Sequence, residues 1–278
     1  MKPADLPAVA FIGGGNMAQA LAAGLLAQGF PAARLRLAEI DPQVRAHLAR
    51  RLPGAHLTDE PAAAVAGAGL AVLAVLAVKP QQAASALAGV RLSHDTTLLS
   101  IAAGLRVATL RGWLGDHAAV VRCMPNTPAL VGAGASALFA DTRVDPAARE
   151  RAETLLAAVG TVCWVEDESL LDVVTAVSGS GPAYFFRLAE ALSAAGRRAG
   201  LPADVTEQLA RQTLVGAGAL VAADAAALAA LRARVTSPGG TTAAALAQMD
   251  RDGFDTAVDA LVSAALARAR ELGDAPAR

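Results

Sequence analysis

Lysine is nearly missing from this 278-residue chain. Only Lys2 and Lys79 stand among its 24 basic residues, so the C-terminal half holds no lysine for catalysis. Aromatic residues make up 3% against 54% hydrophobic, and the interior must therefore be built mainly from Ala, Val and Leu. Neither sign of charge is in excess: 24 basic and 25 acidic residues leave a formal net charge of −1. That balance argues against nucleic acid or an anionic membrane as partner. The two cysteines, Cys123 and Cys163, sit in apolar segments without C-x-x-C spacing. They read as a buried thiol pair in a reducing compartment, with no zinc site. None of His47, His56, His94 and His117 keeps metal-ligand spacing or joins Ser and Asp in a triad pattern. No metal is expected.

Long hydrophobic runs are also scarce. Residues 61–78 carry no charge and approach the length of a membrane span. Their first half is mostly Ala and Gly, however, and Pro61 and Pro80 flank the run. A short helix followed by a buried parallel strand over 70–78 fits better. The chain enters its first strand almost at once, which leaves no room for a signal peptide, and a cytoplasmic protein is expected.

What the sequence does have is an ordered set of glycine-containing turns. The apolar run Val9–Ile12 reads as a buried strand, and it leads into Gly13, Gly15 and Ala18 in the pattern G-x-G-x-x-A. After it, Met17, Leu21 and Leu25 recur on one helical face. In such a unit the first glycine makes the tight turn and the second lets a pyrophosphate approach the backbone. The small third residue lets helix pack on strand. The free N–H groups at the helix start then face the phosphates. A strand over 34–40 ends at Glu39, about 20 residues beyond the turn, where an acid accepts hydrogen bonds from the adenosine ribose. Asp41 competes for that role. Either acid opposes a 2′-phosphate and leans the site toward NADH, although Arg36 and Arg45 stand nearby.

Further strands are expected over 97–101, 120–124, 135–139 and 161–165, with a helix over 146–159. Lys79-Pro80, the small residues Ala102, Ala103 and Gly104, and the turn Pro125-Asn126-Thr127-Pro128 all follow strands, at the sheet edge where such folds bind ligands. From residue 166 helical periodicity takes over, in helices expected over 169–177, 182–199, 202–223, 225–234, 241–249 and 254–272. The expected domains are therefore 1–165 and 166–278, with a frayed tail over 273–278. Ser237-Pro238-Gly239-Gly240-Thr241-Thr242 opens one of these helices. Its convergent N–H groups suit a carboxylate or phosphate, or merely cap the helix. Ser178-Gly179-Ser180-Gly181-Pro182 reads as a close-packing break beside the site. With this inventory, a reductase must rely on positioning and on a substrate that accepts hydride readily, such as a protonated imine.

Read in order, FIGGGNMAQAL, AVKP, SIAAG, RCMPNTPALVGAG, AVSGSGPAY and VTSPGGTT resemble the Δ1-pyrroline-5-carboxylate reductase family over residues 8–272. The resemblance implies an α/β protein: a Rossmann-type dinucleotide-binding domain followed by an all-α dimerisation domain. It implies the last step of proline biosynthesis, NADPH or NADH as coenzyme, and a homodimer that assembles further into rings of dimers. Carried over by motif, Gly13, Gly15, Asn16 and Met17 hold the pyrophosphate, while Ala77, Lys79, Pro80, Ala102, Ala103 and Gly104 line the nicotinamide half. Ser237, Gly239, Gly240 and Thr241 hold the substrate, Met124, Asn126 and Thr127 complete the pocket wall, and Thr242 is the catalytic hydroxyl nearest the imine nitrogen. Two positions depart from the family. Asp224 and residues 225–228 replace a usual Glu and His-Pro pair, and Glu39 stands where small polar residues are common in a family that commonly prefers NADPH. Two other readings compete: a β-hydroxyacid dehydrogenase or general imine reductase, and a dinucleotide-binding scaffold without turnover. The β-hydroxyacid dehydrogenase normally needs the lysine that the helical half lacks; the scaffold has no use for a carboxylate-binding loop.

Overall fold

The computed structural model describes the backbone of residues 1–73, 80–115 and 119–274. Within these residues the chain forms two compact units. The first is Met1–Gly179 together with Ala265–Arg278; the second is Ser180–Ala264.

The first unit is built on an eight-stranded sheet of order β3-β2-β1-β4-β5-β6-β7-β8. Its strands are β1 (Val9–Ile12), β2 (Leu35–Ala38), β3 (His56–Thr58), β4 (Leu70–Leu73), β5 (Thr97–Ser100), β6 (Ala119–Met124), β7 (Gly134–Phe139) and β8 (Gly160–Trp164). The first six pair in parallel in the dinucleotide-binding order, β7 runs antiparallel to β6, and β8 is parallel to β7. Helices α1 (Asn16–Ala27), α2 (Pro42–Arg51), α3 (Pro61–Val65), α4 (Pro80–Leu87), α5 (Val107–Leu114) and α6 (Pro146–Ala157) connect them. Because strand side chains alternate, β1 serves two cores at once. Val9 and Phe11 join Leu21, Leu25, Leu35 and Leu37 on one face, while Ala10 and Ile12 join Val65, Leu98 and Leu110 on the other. A sheet buried on both faces demands strands that are apolar throughout, and all four residues of β1 are buried.

Several details differ from the sequence expectation. β2 is shorter than 34–40, and of the strand expected over 70–78 residues 74–78 lie outside the described residues. His56 lies in β3, a three-residue edge strand too short to show a period and absent from the expected strands. The expected buried thiol pair is half right. Cys123 is buried, whereas Cys163 is exposed because β8 closes the sheet and turns alternate side chains outward. Both are free thiols.

After β8 come α7 (Leu170–Val174) and one π-helical turn, Thr175–Gly179. Charged pairs lock α7 into the first unit. Arg106 grips the buried Asp172 with bonds of 2.7 and 3.3 Å. Arg122 reaches Glu168 at 2.9 Å, and the same Glu168 oxygen accepts the Val107 N–H at 2.7 Å. That carboxylate thereby caps the start of α5, whose flanking Arg106 offers no side-chain cap. Asp172→Asn, which removes one charge from the pair, is expected to cost about 2 kcal/mol. Urea unfolding reads it as a lower midpoint at unchanged slope; an unmoved midpoint would show that the pair contributes nothing.

The second unit is helical: α8 (Gly181–Arg198), α9 (Ala203–Ala223), α10 (Leu228–Arg234), α11 (Thr241–Arg251) and the first part of α12 (Phe254–Asp274). Its apolar side chains are poorly covered. Phe185 and Phe186 are 61% and 59% exposed, and Leu192, Leu209, Val215 and Leu220 are exposed as well. Among the described residues no helix is long and apolar enough to cross a membrane.

Candidate active site

The glycine turn follows directly from β1. Gly13 adopts φ +99°, a conformation costly for any residue with a side chain, and its N–H donates to the Ala38 carbonyl at 2.8 Å. Gly15 is the N-cap of α1 and gives the first-turn N–H groups no side-chain acceptor. A Cβ built on Gly15 would meet nothing within 4 Å, so the helix start is open, and Gly15 and Asn16 are exposed. Met17 and Ala18 turn inward into the core, which leaves Met17 only its backbone N–H for a ligand. An open helix N-terminus above a glycine turn fits a pyrophosphate in backbone geometry and charge.

The two acids left open by the sequence have different roles. Asp41 caps α2, its carboxylate accepting the N–H groups of Gln43 at 2.7 Å and Val44 at 3.3 Å. Glu39 instead turns to the glycine loop, accepting from the Gly14 N–H at 2.8 Å and the Asp41 N–H at 2.9 Å. The fit is close: a Cβ on Gly14 would fall 2.6 Å from Leu48 Cδ1 and 3.1 Å from Glu39 Oε2.

Of the residues expected around the nicotinamide, Ala77 and Lys79 lie outside the described residues, and Pro80 begins α4. Ala102 is buried and Ala103 exposed. Gly104, at φ +76°, is also kept small by the chain around it. A Cβ there would lie 3.0 Å from the Leu272 carbonyl oxygen, where the last turns of α12 return to the first unit.

The turn after β6 holds a clamp. Asn126 is buried, its Oδ1 accepting the Ala135 N–H at 2.8 Å and its Nδ2 donating to the Ser178 carbonyl at 3.1 Å. Its amide is thus committed to β7 on one side and the π-helical turn on the other. Met124 is half-buried at the end of β6, and its Cε would lie 2.6 Å from a Cβ on Gly179. The close-packing expectation for the SGSGP segment thus holds at Gly179. Thr127 is exposed and opens a short 3-10 turn, Thr127–Val131. Sequence reasoning missed the π-helical turn itself, a feature that often accompanies functional sites. Its glycine and serine residues were the available signal.

In the second unit, Ser237, Gly239 and Thr241 are exposed and Gly240 and Thr242 half-buried. Gly239 takes φ +70°, the Gly240 N–H closes a turn onto the Ser237 carbonyl at 3.0 Å, and Gly240 caps α11 without a side-chain acceptor. A Cβ on Gly240 would lie 2.5 Å from Ser237 Oγ. The loop is therefore a second uncapped helix start, open to an anion. Asp224 is engaged elsewhere: it pairs with Arg234 and accepts the Ala226 N–H at 2.9 Å. Those bonds, the Ala226 N–H first, hold its carboxyl below the usual range. Among the described residues no cluster of His, Cys, Asp or Glu could hold a metal.

Comparison with known proteins agrees with this architecture. Residues 168–272 match the family model described as pyrroline-5-carboxylate reductase dimerisation, and residues 8–104 match that described as NADP oxidoreductase, coenzyme F420-dependent. A pyrroline-5-carboxylate reductase from Pseudomonas aeruginosa is 44% identical over 268 residues, covering 96% of this chain and 97% of that protein. The chain belongs to the pyrroline-5-carboxylate reductase family. Within that family, a Coxiella burnetii structure superposes with TM-score 0.90 at 33% identity, covering 97% of this chain and 100% of the other. A Plasmodium falciparum pyrroline carboxylate reductase with NADP bound gives TM-score 0.79 at 26% identity, covering 98% and 99%. As a pyrroline-5-carboxylate reductase family member, the chain combines a Rossmann-type dinucleotide-binding domain with an all-α dimerisation domain and uses a nicotinamide coenzyme.

Proposed function

We propose that this protein is an NAD(P)H-dependent oxidoreductase that reduces 1-pyrroline-5-carboxylate to L-proline, the last step of proline biosynthesis. The observation that carries the reading is full-length identity to named pyrroline-5-carboxylate reductases, together with two open helix starts, one in each unit. When bound, the reduced nicotinamide supplies a hydride to the imine carbon, C5. The protein's own residues bind and orient. Gly13 makes the tight turn that brings the pyrophosphate close, its own N–H being held by the Ala38 carbonyl. Gly15, Asn16 and Met17 present backbone N–H groups to the pyrophosphate, and Glu39 accepts from the adenosine ribose. Ala77, Lys79, Pro80, Ala102, Ala103 and Gly104 belong to the nicotinamide side, with Gly104 acting through its close approach to α12.

Ser237, Gly239, Gly240 and Thr241 hold the substrate carboxylate and ring, and the Thr242 hydroxyl faces the imine nitrogen. A threonine hydroxyl is a weak acid, so its part is to hold the nitrogen's hydrogen bond or to pass on a proton from water. Met124 and Thr127 form the pocket wall, and Asn126, with both ends of its amide committed, positions that wall. In this division of labour residues 1–165 carry the coenzyme and 166–278 carry dimerisation and the substrate.

The exposed Phe185, Phe186, Leu192 and Leu220 support a homodimer through the helical unit, since so many large apolar side chains need a partner surface. Rings of such dimers and a cytoplasmic location complete the proposal. Purified protein is expected to oxidise NADH or NADPH only when 1-pyrroline-5-carboxylate is supplied, read as falling absorbance of the reduced nicotinamide. No turnover with either coenzyme would discard the reading.

A further inference from the structure

We infer that this enzyme selects the coenzyme with a free ribose 2′-hydroxyl, NADH, over its 2′-phosphorylated counterpart, and that Glu39 makes the selection. The inference rests on the reading of the glycine turn as the dinucleotide site. Three observations carry it.

The first is where Glu39 sits. β1 and β2 are paired with Ile12 opposite Ala38, so the residue after β2 lies beside the turn after β1. There its carboxylate is held by two backbone N–H groups, Gly14 at 2.8 Å and Asp41 at 2.9 Å. Each carboxylate oxygen keeps further acceptor capacity. A vicinal ribose diol brings two donors to such a group, and ribose hydroxyls are what an acid at this position of the fold binds. A 2′-phosphate brings only negative charge and acceptors.

The second is that the neighbouring cations are occupied. Arg45 Nη1 donates to the backbone carbonyl of Glu39, and its Nη2 lies 3.6 Å from Asp59. Arg36 Nη1 donates to the Ala66 carbonyl. A 2′-phosphate would therefore meet two arginines already drawn toward other acceptors, with only their remaining N–H groups to offer.

The third concerns the adjacent helix start. The first-turn N–H groups of α2 could otherwise have bound a phosphate, but the Asp41 carboxylate takes those of Gln43 and Val44. Two carboxylates therefore bracket the place a 2′-phosphate would have to enter.

Equilibrium titration of the wild-type protein with NADH and with NADPH, followed by nicotinamide fluorescence, tests this without turnover. NADH is expected to bind at least tenfold more tightly. Glu39→Gln keeps the side chain's shape and an acceptor for the loop but removes the charge, and Glu39→Ser removes the group altogether. Both variants are expected to shift the NADPH-to-NADH affinity ratio toward NADPH by tenfold or more, and retention of the wild-type far-ultraviolet dichroism shows that each is folded. Equal or tighter binding of NADPH by the wild type overturns the inference and leaves the dinucleotide site standing. An unchanged ratio in a folded Glu39→Gln protein overturns the role of Glu39. Binding of neither coenzyme overturns the reading of the site, and this inference with it.

Discussion

Gly160→Ala is expected to destabilise the first unit by about 3 kcal/mol or more. Gly160 opens β8 opposite Gly134, and the two strands approach there without side chains between them. A Cβ on Gly160 would lie 2.0 Å from the Gly134 carbonyl oxygen and 2.5 Å from its carbon. Both obstacles are backbone, so no rotamer change relieves them. Backbone conformation adds to the cost, since φ at Gly160 is +155°. Nor can Gly134 retreat easily, because its N–H is bonded to the Val159 carbonyl at 2.8 Å. For a chain of this size each kcal/mol moves the melting temperature by about 2–4 °C, so a fall of at least ~6 °C is expected. Gly112→Ala provides the contrast: it lies inside α5, exposed, with nothing within 4 Å of a new Cβ. There alanine is expected to gain up to about 1 kcal/mol through helix propensity. Equal melting temperatures for Gly160→Ala and wild type would mean that β7 and β8 separate at no cost.

The difference between those two glycines marks how far the sequence could be read. β1 and the turn after it were legible, because four consecutive apolar residues followed by Gly13 and Gly15 fit few other arrangements. The helices of the second unit were legible from periodicity bounded by Pro182, Pro202, Gly200 and Gly253. β3 was not, being three residues long at the sheet edge with no buried side chain to create a pattern. Nor were α4 and α5, each of eight residues, whose short spans give periodicity little room.

At the site, residue types were readable but partners were not. Glu39 and Asp41 carry the same group two positions apart; only the path of the backbone makes one a helix cap and turns the other toward the glycine loop. Asn126 invites a ligand role by its place between two prolines, yet folding brings it beside Ala135 and Ser178, which take both ends of its amide. Gly104 follows a strand, as coenzyme-binding glycines do, but the atom that forbids a side chain there belongs to Leu272, far along the chain. Contacts between distant segments of sequence have no local signature, and Glu39, Asn126 and Gly104 depend on them.

Thr242→Ala is expected to lower kcat by about 10- to 100-fold, equivalent to about 1.4–2.7 kcal/mol of transition-state stabilisation, with KM changed far less. Thr242 is the second residue of α11, half-buried, just beyond a helix start whose cap, Gly240, has no side chain to offer. On the proposed reading, the backbone N–H groups of that start bear the substrate carboxylate in the ground state and the transition state alike, so their contribution is expected in KM. On the same reading the hydroxyl acts where charge changes, at the imine nitrogen, and its loss should therefore appear in kcat. Thr242→Ser retains the hydroxyl and is expected to stay within a few-fold of wild type, whereas Thr242→Val keeps the shape without the hydroxyl and should behave as Thr242→Ala does. Gly239→Ala separates the two contributions from the other side. It strains a residue at φ +70° and disturbs the loop, so KM should rise while the hydroxyl chemistry is retained. Wild-type kinetics in Thr242→Val would remove the hydroxyl from the mechanism. The remaining loop residues and the wall formed by Met124 and Thr127 would then be left as the protein's contribution on the substrate side.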